Sequence, residues 1–443
     1  MAKVVLHETA PGATDDPRET LFRRGFLARS PVASTLRPEA RSPLAGLLAP
    51  LGPKRFFGEY FGQRFHHFRA KDRERFAKLF SFDTLGSLIA NRHIPIDYAK
   101  VFDKRGSPIS SKRFAHDKVT GTTIDPEKLM RLLFVERASM SVKMLSLYDP
   151  GCAALAAQFT EWLHHDVTVN AYFTLRDCRT SGWHWDPYDI FVLQVEGRKN
   201  WDIYEPLFDY AMSDTIPDKW KVSDLKTARK LATLTLERGD VLYLPAGTPH
   251  DPMSPPDQDS LHLSVGVASD RWHDIVSTVV DRVLSAMRQD PEFRRPAWGL
   301  HGAERPPARD EATYRALLGR VAKAVRETPL EVAVRERRRS RASLSPSEVQ
   351  DAFRSHLAAD RIDDSTPLVR TALPLEVART EDFYELRLPR AVVCVAKVGA
   401  KALTFVQSRP RFTVGDLPGL RTTEARVELA SALLRADAVV IER

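Results

Sequence analysis

Cysteine is scarce in this chain of 443 residues: Cys152, Cys178 and Cys394 lie far apart and form no CxxC pair. Neither a disulfide framework nor a zinc site follows from that spacing, and a reducing cytoplasm is the expected setting. No apolar run reaches the roughly 18 residues of a membrane span. The N-terminus carries no apolar core of a signal peptide, so the substrate is expected inside the cell. Internal repeats are absent. No single charge sign dominates: 66 basic residues face 58 acidic ones, for a net charge of +8. That is a mild bias toward acidic partners such as RNA or a ribosomal surface. Part of the excess sits in Arg335, Arg337, Arg338, Arg339 and Arg341, which also suit a solvated helix face ending in a linker.

What the chain does have is a middle third dense in strand signals. Residues 167–175, 189–195, 200–204, 232–236, 240–244 and 261–267 are short, apolar or alternating, and bounded by Gly, Pro and Asp. Closely spaced strands without long intervening helices predict an antiparallel sandwich or barrel. Upstream, residues 1–50 are rich in Pro, Ala and Arg and read as a partly disordered arm with a short helix at 43–51. Phe57, Tyr60 and Phe61 share one helix face, expected to pack on the barrel. Further helices are expected at 125–134 and 153–163, with a strand at 138–147 between them. His164 and His165 end the second helix and read as a C-terminal contact rather than as ligands.

After Asp270 helices take over, at 272–287 and 313–335. Ser345-Pro346-Ser347-Glu348 has the form of a capping box that opens another. The last hundred residues predict a small α+β module, with strands at 384–388, 391–396, 402–407 and 438–441 and a helix at 423–434. The domains expected are thus an arm (1–50), a barrel (51–269), a helical region (270–345) and a C-terminal module (346–443).

The informative chemistry lies in Ser181-Gly182-Trp183-His184-Trp185-Asp186-Pro187-Tyr188-Asp189. In an extended segment, side chains two apart share a face, so His184 and Asp186 reach one metal together. A second histidine, His250, follows in Gly239-Asp240-Val241-Leu242-Tyr243-Leu244-Pro245-Ala246-Gly247-Thr248-Pro249-His250. Two histidines and one carboxylate on one side of a metal leave three positions open. That donor set suits Fe(II) better than zinc, which favours a closed tetrahedron or a single open position. The bland reading makes His184 and His250 loop histidines and Asp186 a helix cap; the strand context argues against it.

His184-Trp185-Asp186, followed by Tyr188-Asp189-Ile190-Phe191-Val192-Leu193-Gln194-Val195-Glu196-Gly197-Arg198-Lys199-Asn200-Trp201, resembles the JmjC/cupin-4 ribosomal oxygenases. The resemblance covers residues 50–270 and, by architecture only, the C-terminal third. It implies a double-stranded β-helix (a cupin/JmjC jelly roll) that uses Fe(II) and 2-oxoglutarate. It also implies a helical dimerisation region and a C-terminal winged-helix-like module. Lys199 matches the basic residue that binds the distal carboxylate of 2-oxoglutarate, with Arg198 beside it. A barrel holding a dicarboxylate independently needs an inward cation. Asn170 and Tyr172 match an Asn-x-Tyr that contacts the same cosubstrate, and Ser264 a nearby hydroxyl. His262 shares the face of Ser264 as a neighbouring group of the pocket. Phe65-His66-His67 departs from the family pattern, as does the loop over residues 207–230, where substrate choice is expected to reside.

The function implied is hydroxylation of an amino-acid side chain in a protein, with a ribosomal protein leading. A peptide natural product is the alternative substrate. A non-catalytic cupin that binds nucleic acid or protein is the rival from another class, and histone-type lysine demethylation ranks below all of these. The helix at 423–434 carries Glu424 and Glu428 beside Arg426 and Arg435, which is no basic recognition face.

Overall fold

The computed structural model describes residues 43–91, 94–118, 121–206, 210, 228–297, 307–342, 344, 346–379 and 383–442. The arm expected over residues 1–50 falls outside them up to residue 42. The loop expected to select substrate falls largely outside them too. The chain divides into two units, Met1–Ser269 and Asp270–Arg443.

Among the described residues the first unit carries thirteen strands: β1 (His66–Phe68), β2 (Ala99–Phe102), β3 (Pro108–Ile109), β4 (Ala115–Lys118), β5 (Gly121–Ile124), β6 (Ser139–Val142), β7 (Asp166–Thr174), β8 (Asp189–Gly197), β9 (Lys199–Tyr204), β10 (Lys230–Leu236), β11 (Val241–Leu244), β12 (His250–Met253) and β13 (Ser260–Ala268). Eight form one antiparallel sheet in the order β1-β11-β8-β13-β7-β6-β2-β3, and a smaller sheet runs β10-β9-β12. Apart from β6-β7 and β2-β3, neighbours in the large sheet are not consecutive in the chain, which is the crossing pattern of a jelly roll.

Strand periodicity explains how the two sheets share a core. Val169, Ala171 and Phe173 of β7, and Leu261, Leu263, Val265 and Val267 of β13, join one large cluster. That cluster also holds the aromatic side chains of the helix Pro53–Glu59. Phe56 meets Tyr243 at 4.9 Å and Phe191 at 5.8 Å, so the aromatic segment packs on the barrel as expected. The alternate residues Ile190, Val192, Leu242 and Leu244 face the other way, onto Trp201, Ile203 and Leu236 of the small sheet. The intervening positions of β7 and β13 are Asn170, Tyr172, Thr174, Ser260, His262 and Ser264. They project to the inner face, where Asn170, Thr174, Ser260, His262 and Ser264 are buried and Tyr172 is half-buried.

Several elements differ from expectation. The strand expected at 138–147 covers only Ser139–Val142, because Met144 adopts a left-handed conformation (φ 53°) before a 3-10 turn. The single helix expected at 313–335 is two, Ala308–Glu327 and Leu330–Arg341, since Pro329 cannot continue the first. The expected strand at 402–407 is a helix, Ala400–Ser408, that buries Ala402, Leu403 and Val406 on one side. That spacing is helical, and alternation misread it. The capping-box helix begins at Pro346, and Glu348 accepts a hydrogen bond from the amide of Ala372 at 2.7 Å. The arginine cluster is not merely solvated: Arg337 and Arg341 pair with Asp270 at 2.7 and 2.8 Å, and Arg339 donates to the Leu388 carbonyl at 2.8 Å. His164 caps its helix with a left-handed backbone (φ 57°).

Asp240 secures the turn between β10 and β11. Its carboxylate bonds His67 Nε2 at 2.8 Å, Arg73 at 2.7 Å and the amides of Ala70 and Glu237. Burial alone would push the Asp240 carboxyl up, but those hydrogen bonds outweigh it and hold it below the usual range. Asp240→Ala leaves these donors buried without an acceptor. It is expected to cost about 3 kcal/mol in urea unfolding, whereas Asp257→Ala at the exposed rim costs under about 1 kcal/mol.

Candidate metal and cosubstrate site

His184 and His250 are cross-strand partners. The amide of His184 donates to the His250 carbonyl at 3.1 Å, and the amide of His250 returns the bond at 2.8 Å. Residues 179–184 thus line the free edge of β12, and Arg179 pairs with Met253 further along. The imidazoles lie 4.3 Å apart between ring centroids. Asp186 follows two residues on, anchored through its carbonyl to the Gly247 amide at 2.8 Å. One donor atom from each of His184, Asp186 and His250 lies within 4.8 Å of the others, and His250 Nε2 is 3.9 Å from Asp186 Oδ2.

The tautomers are set by the backbone. His184 Nδ1 contacts the Gly182 carbonyl at 2.8 Å and His250 Nδ1 the Thr248 carbonyl at 2.9 Å. A carbonyl only accepts, so each Nδ1 carries hydrogen and each Nε2 keeps its lone pair for a metal. Burial, aided by His184, holds His250 well below its ordinary value, which keeps the ring neutral. Asp186 is pushed up by burial, against the pull of His184, a hydrogen bond with the Tyr188 phenol and the charge of Lys143. A divalent cation supplies the charge that such a buried carboxyl lacks. Donors, tautomers and charge all fit Fe(II).

The inner face continues from this triad toward Lys199. The Trp201 ring lies 5.5 Å from that of His250 and 5.5 Å from that of His262. His262 stacks on Tyr172 at 4.9 Å, with planes 7° apart, because the two are opposite each other in β13 and β7. Lys199 is fully buried, and its ammonium donates to Thr174 Oγ1 at 2.7 Å and Thr180 Oγ1 at 3.3 Å. No described carboxylate pairs with it, and burial brings it down to about 7. Among the described residues, Trp201 Nε1 and His262 Nδ1 are also buried without a partner. A lone buried ammonium and two unused ring nitrogens suit a bound carboxylate, so the residues present fit 2-oxoglutarate. Gly197 makes this placement possible: its backbone is left-handed (φ 63°), and a Cβ there would overlap the Asp259 carbonyl.

The other expected residues take distinct places. Ser264 is opposite Asn170 in the register, and both are buried on the inner face. Asn170 Oδ1 accepts from the Met144 amide at 3.0 Å, so it stabilises the left-handed turn there. Arg198 turns away from the barrel and pairs with Asp257, leaving Lys199 as the inward cation. Thr174 and Thr180, from a strand and a loop, carry no signal in the sequence. Tyr188 and Trp201 stand in the quoted motif without an assigned role.

The fold and site together define a cupin-type barrel built around a cluster of two histidines and one aspartate that could hold a metal. The JmjC domain family matches residues 148–275. Among curated proteins, the bifunctional lysine-specific demethylase and histidyl-hydroxylase NO66 of Dictyostelium discoideum is 28% identical over 58% of this chain and 49% of its own length. The protein of that name from Drosophila willistoni is 26% identical over 65% of this chain and 36% of its own. The chain therefore spans about half or less of these relatives. Among solved structures, the ribosomal oxygenase YcfD of Escherichia coli, in complex with cobalt and succinic acid, is 18% identical. It covers 88% of this chain and 97% of that one, with a TM-score of 0.47. Residues 148–275 thus match a JmjC domain, and this is the part of the chain that holds His184, Asp186, Lys199 and His250.

Tyr188 reaches the Asp186 carboxylate with its ring laid over Gly266, where a Cβ would stand 3.0 Å from the phenol ring. Tyr188→Phe removes the hydrogen bond and keeps the packing. Competition titration with Mn(II) is expected to show roughly tenfold weaker metal binding in that variant.

Proposed function

We propose that this protein hydroxylates an amino-acid side chain within a protein, with a ribosomal protein as the leading substrate. His184, Asp186 and His250 hold Fe(II), and Lys199, with Tyr172 and Ser264, holds 2-oxoglutarate. Asn170 supports that pocket through the Met144 turn. The observation that carries the reading is Lys199: a buried ammonium with no counter-ion among the described residues, across Trp201 and His262 from the His184, Asp186 and His250 cluster. With Fe(II) bound, O2 would be the oxidant and 2-oxoglutarate its co-reductant: one oxygen atom would enter the substrate C–H bond and the other the succinate left when 2-oxoglutarate loses CO2.

The chain's own share is placement. His184 and His250 present neutral lone pairs, and Tyr188 fixes one oxygen of Asp186. Lys199 neutralises the distal carboxylate, while Ile190, Val192, Trp201 and Leu244 keep bulk water from the inner face. The names of the relatives, a histidyl-hydroxylase and demethylase, support a protein substrate. A homodimer belongs to the same proposal. It is supported by Trp272, Val276, Tyr314 and Leu318, large apolar side chains exposed on two helices of the second unit. The C-terminal module, proposed as winged-helix-like, is read as structural. Its helix Thr423–Arg435 commits Arg426 to Asp364 and Arg435 to Asp360, which leaves little charge for nucleic acid. A cytoplasmic location accords with three free cysteines, two of them buried; no described helix is long and apolar enough to cross a membrane.

Three measurements test this reading. Anaerobically Fe(II)-loaded protein is expected to form succinate from 2-oxoglutarate once O2 is admitted, and His184→Ala to lose at least about 99% of that rate; equal rates would refute the metal assignment. Intact masses of ribosomal proteins with and without the gene are expected to differ by one oxygen on one of them, and an unchanged profile rejects the ribosomal substrate. The third measurement concerns pH. The folded value of Lys199 lies below the unfolded one, so the empty site holds its proton only below about 7. A carboxylate ligand needs that proton. With saturating Mn(II), 2-oxoglutarate affinity is therefore expected to fall about tenfold from pH 6.5 to 8.5, and Lys199→Arg to flatten the profile. A wild-type profile that is already flat contradicts the assignment of Lys199.

A further inference from the structure

One row of the large sheet leads from the site out to its edge. Lys100 of β2 is opposite Ser141 of β6, Ser141 opposite Tyr172 of β7, and Tyr172 opposite His262 of β13. Directly opposed residues point to the same face, so Lys100 extends the face that holds Tyr172 and His262. Lys143 lies two residues past Ser141 on that face. Its amide bonds the Tyr98 carbonyl at 2.8 Å, so the pairing with the β2 segment persists to that point. Lys100 and Lys143 are thus diagonal neighbours, and the charge of Lys100 bears on the Lys143 amino group. Lys143 is half-buried and within electrostatic reach of Asp186.

Two adjacent ammonium groups repel, and among the described residues neither has a carboxylate partner. Asp186 offers partial relief, which a divalent cation on Asp186 would remove. Nor does the cosubstrate meet the need, since its two ends are taken by the metal and by Lys199. An anion delivered by the substrate is what remains. Several cations of the same unit are already matched: Lys104 with Asp177, Arg179 with Asp251 and Lys230 with Asp202. Two ammonium groups side by side suit the paired oxygens of one carboxylate better than the run of phosphates that a nucleic-acid groove tracks.

We propose that Lys100 and Lys143 form a carboxylate-binding pair on the substrate side of the metal site, so that the segment presented for hydroxylation carries Asp or Glu at the target residue or beside it. This rests on the oxygenase reading above and narrows its substrate to an acidic segment. The test uses the full chain loaded with Mn(II) and the 2-oxoglutarate analogue N-oxalylglycine. It is offered heptapeptide pools whose central residue is fixed as Asp, Glu, Asn, Gln or Lys, and retained peptides are read by mass spectrometry. The Asp and Glu pools are expected to be retained about tenfold over their amide counterparts, an advantage that the double variant Lys100→Gln/Lys143→Gln erases. Lys143→Glu is expected to shift retention to the Lys pool. No preference for acid over amide in wild type, including retention of no pool, overturns the proposal, as does a preference that survives in the double variant. An oligouridylate bound more tightly than any acidic pool, and lost in the double variant, would assign the pair to phosphate and also overturn it. N-oxalylglycine affinity of the wild type separates the two readings. A wild type that does not bind it sinks the oxygenase reading and this one together, whereas binding without acid preference sinks this one alone.

Discussion

The site depends on one pair of backbone hydrogen bonds, those exchanged between His184 and His250. They dock the segment before β8 along β12 and bring together two imidazoles that are 66 positions apart in sequence. Once this pairing exists, the strand period of two brings Asp186 to the same side, and the carbonyls of Gly182 and Thr248 turn both Nε2 atoms toward it. A one-residue slip would send either imidazole to the opposite face. The candidate metal site is therefore a consequence of register, which the barrel holds in place.

The same logic extends along the inner face. Val, Leu and Phe at alternate positions of β7 and β13 anchor those strands in the outer core. The positions between them are then free to carry Asn170, Tyr172, Thr174, His262 and Ser264. Burying so many polar groups is unfavourable unless they pair with one another or with a ligand. Asn170 is satisfied by the Met144 amide, and Thr174 by Lys199. His262 Nδ1, Trp201 Nε1 and the charge of Lys199 are left for something that binds. The barrel stores this unmet polarity at the cosubstrate end, while its apolar cluster of Ile190, Val192, Trp201 and Ile203 excludes water from it.

Much of this was legible in the sequence, because local periodicity dictates it. His184 and Asp186 are two apart, Asn170 and Tyr172 are two apart, and each pair shares a face whatever the rest of the chain does. Lys199 was legible through the family resemblance, together with the need of a barrel that holds a dicarboxylate for an inward cation. Other features were not. Thr180 and Trp201 join Lys199 and His262 only through tertiary folding, so no spacing announces them. The role of Asn170 at the Met144 turn depends on a left-handed residue 26 positions earlier. The stretch at 402–407 reads equally as alternation and as one helical face, and packing of Leu403 and Val406 decides for the helix. Pro329, by contrast, was visible in the sequence and should have divided the helix there.

The central claim is that His184, Asp186 and His250 bind one Fe(II) with open positions, and that Lys199 draws a 2-oxo dicarboxylate onto it. Anaerobic absorption spectroscopy tests it most directly, since chelation of Fe(II) by a 2-oxo acid gives a visible charge-transfer band. The band is predicted to appear when 2-oxoglutarate is added to the Fe(II)-loaded wild type. It should be absent in His250→Ala, and Lys199→Met should need at least about tenfold more 2-oxoglutarate to reach it. No band in the wild type, or one of equal strength in His250→Ala, would contradict the account.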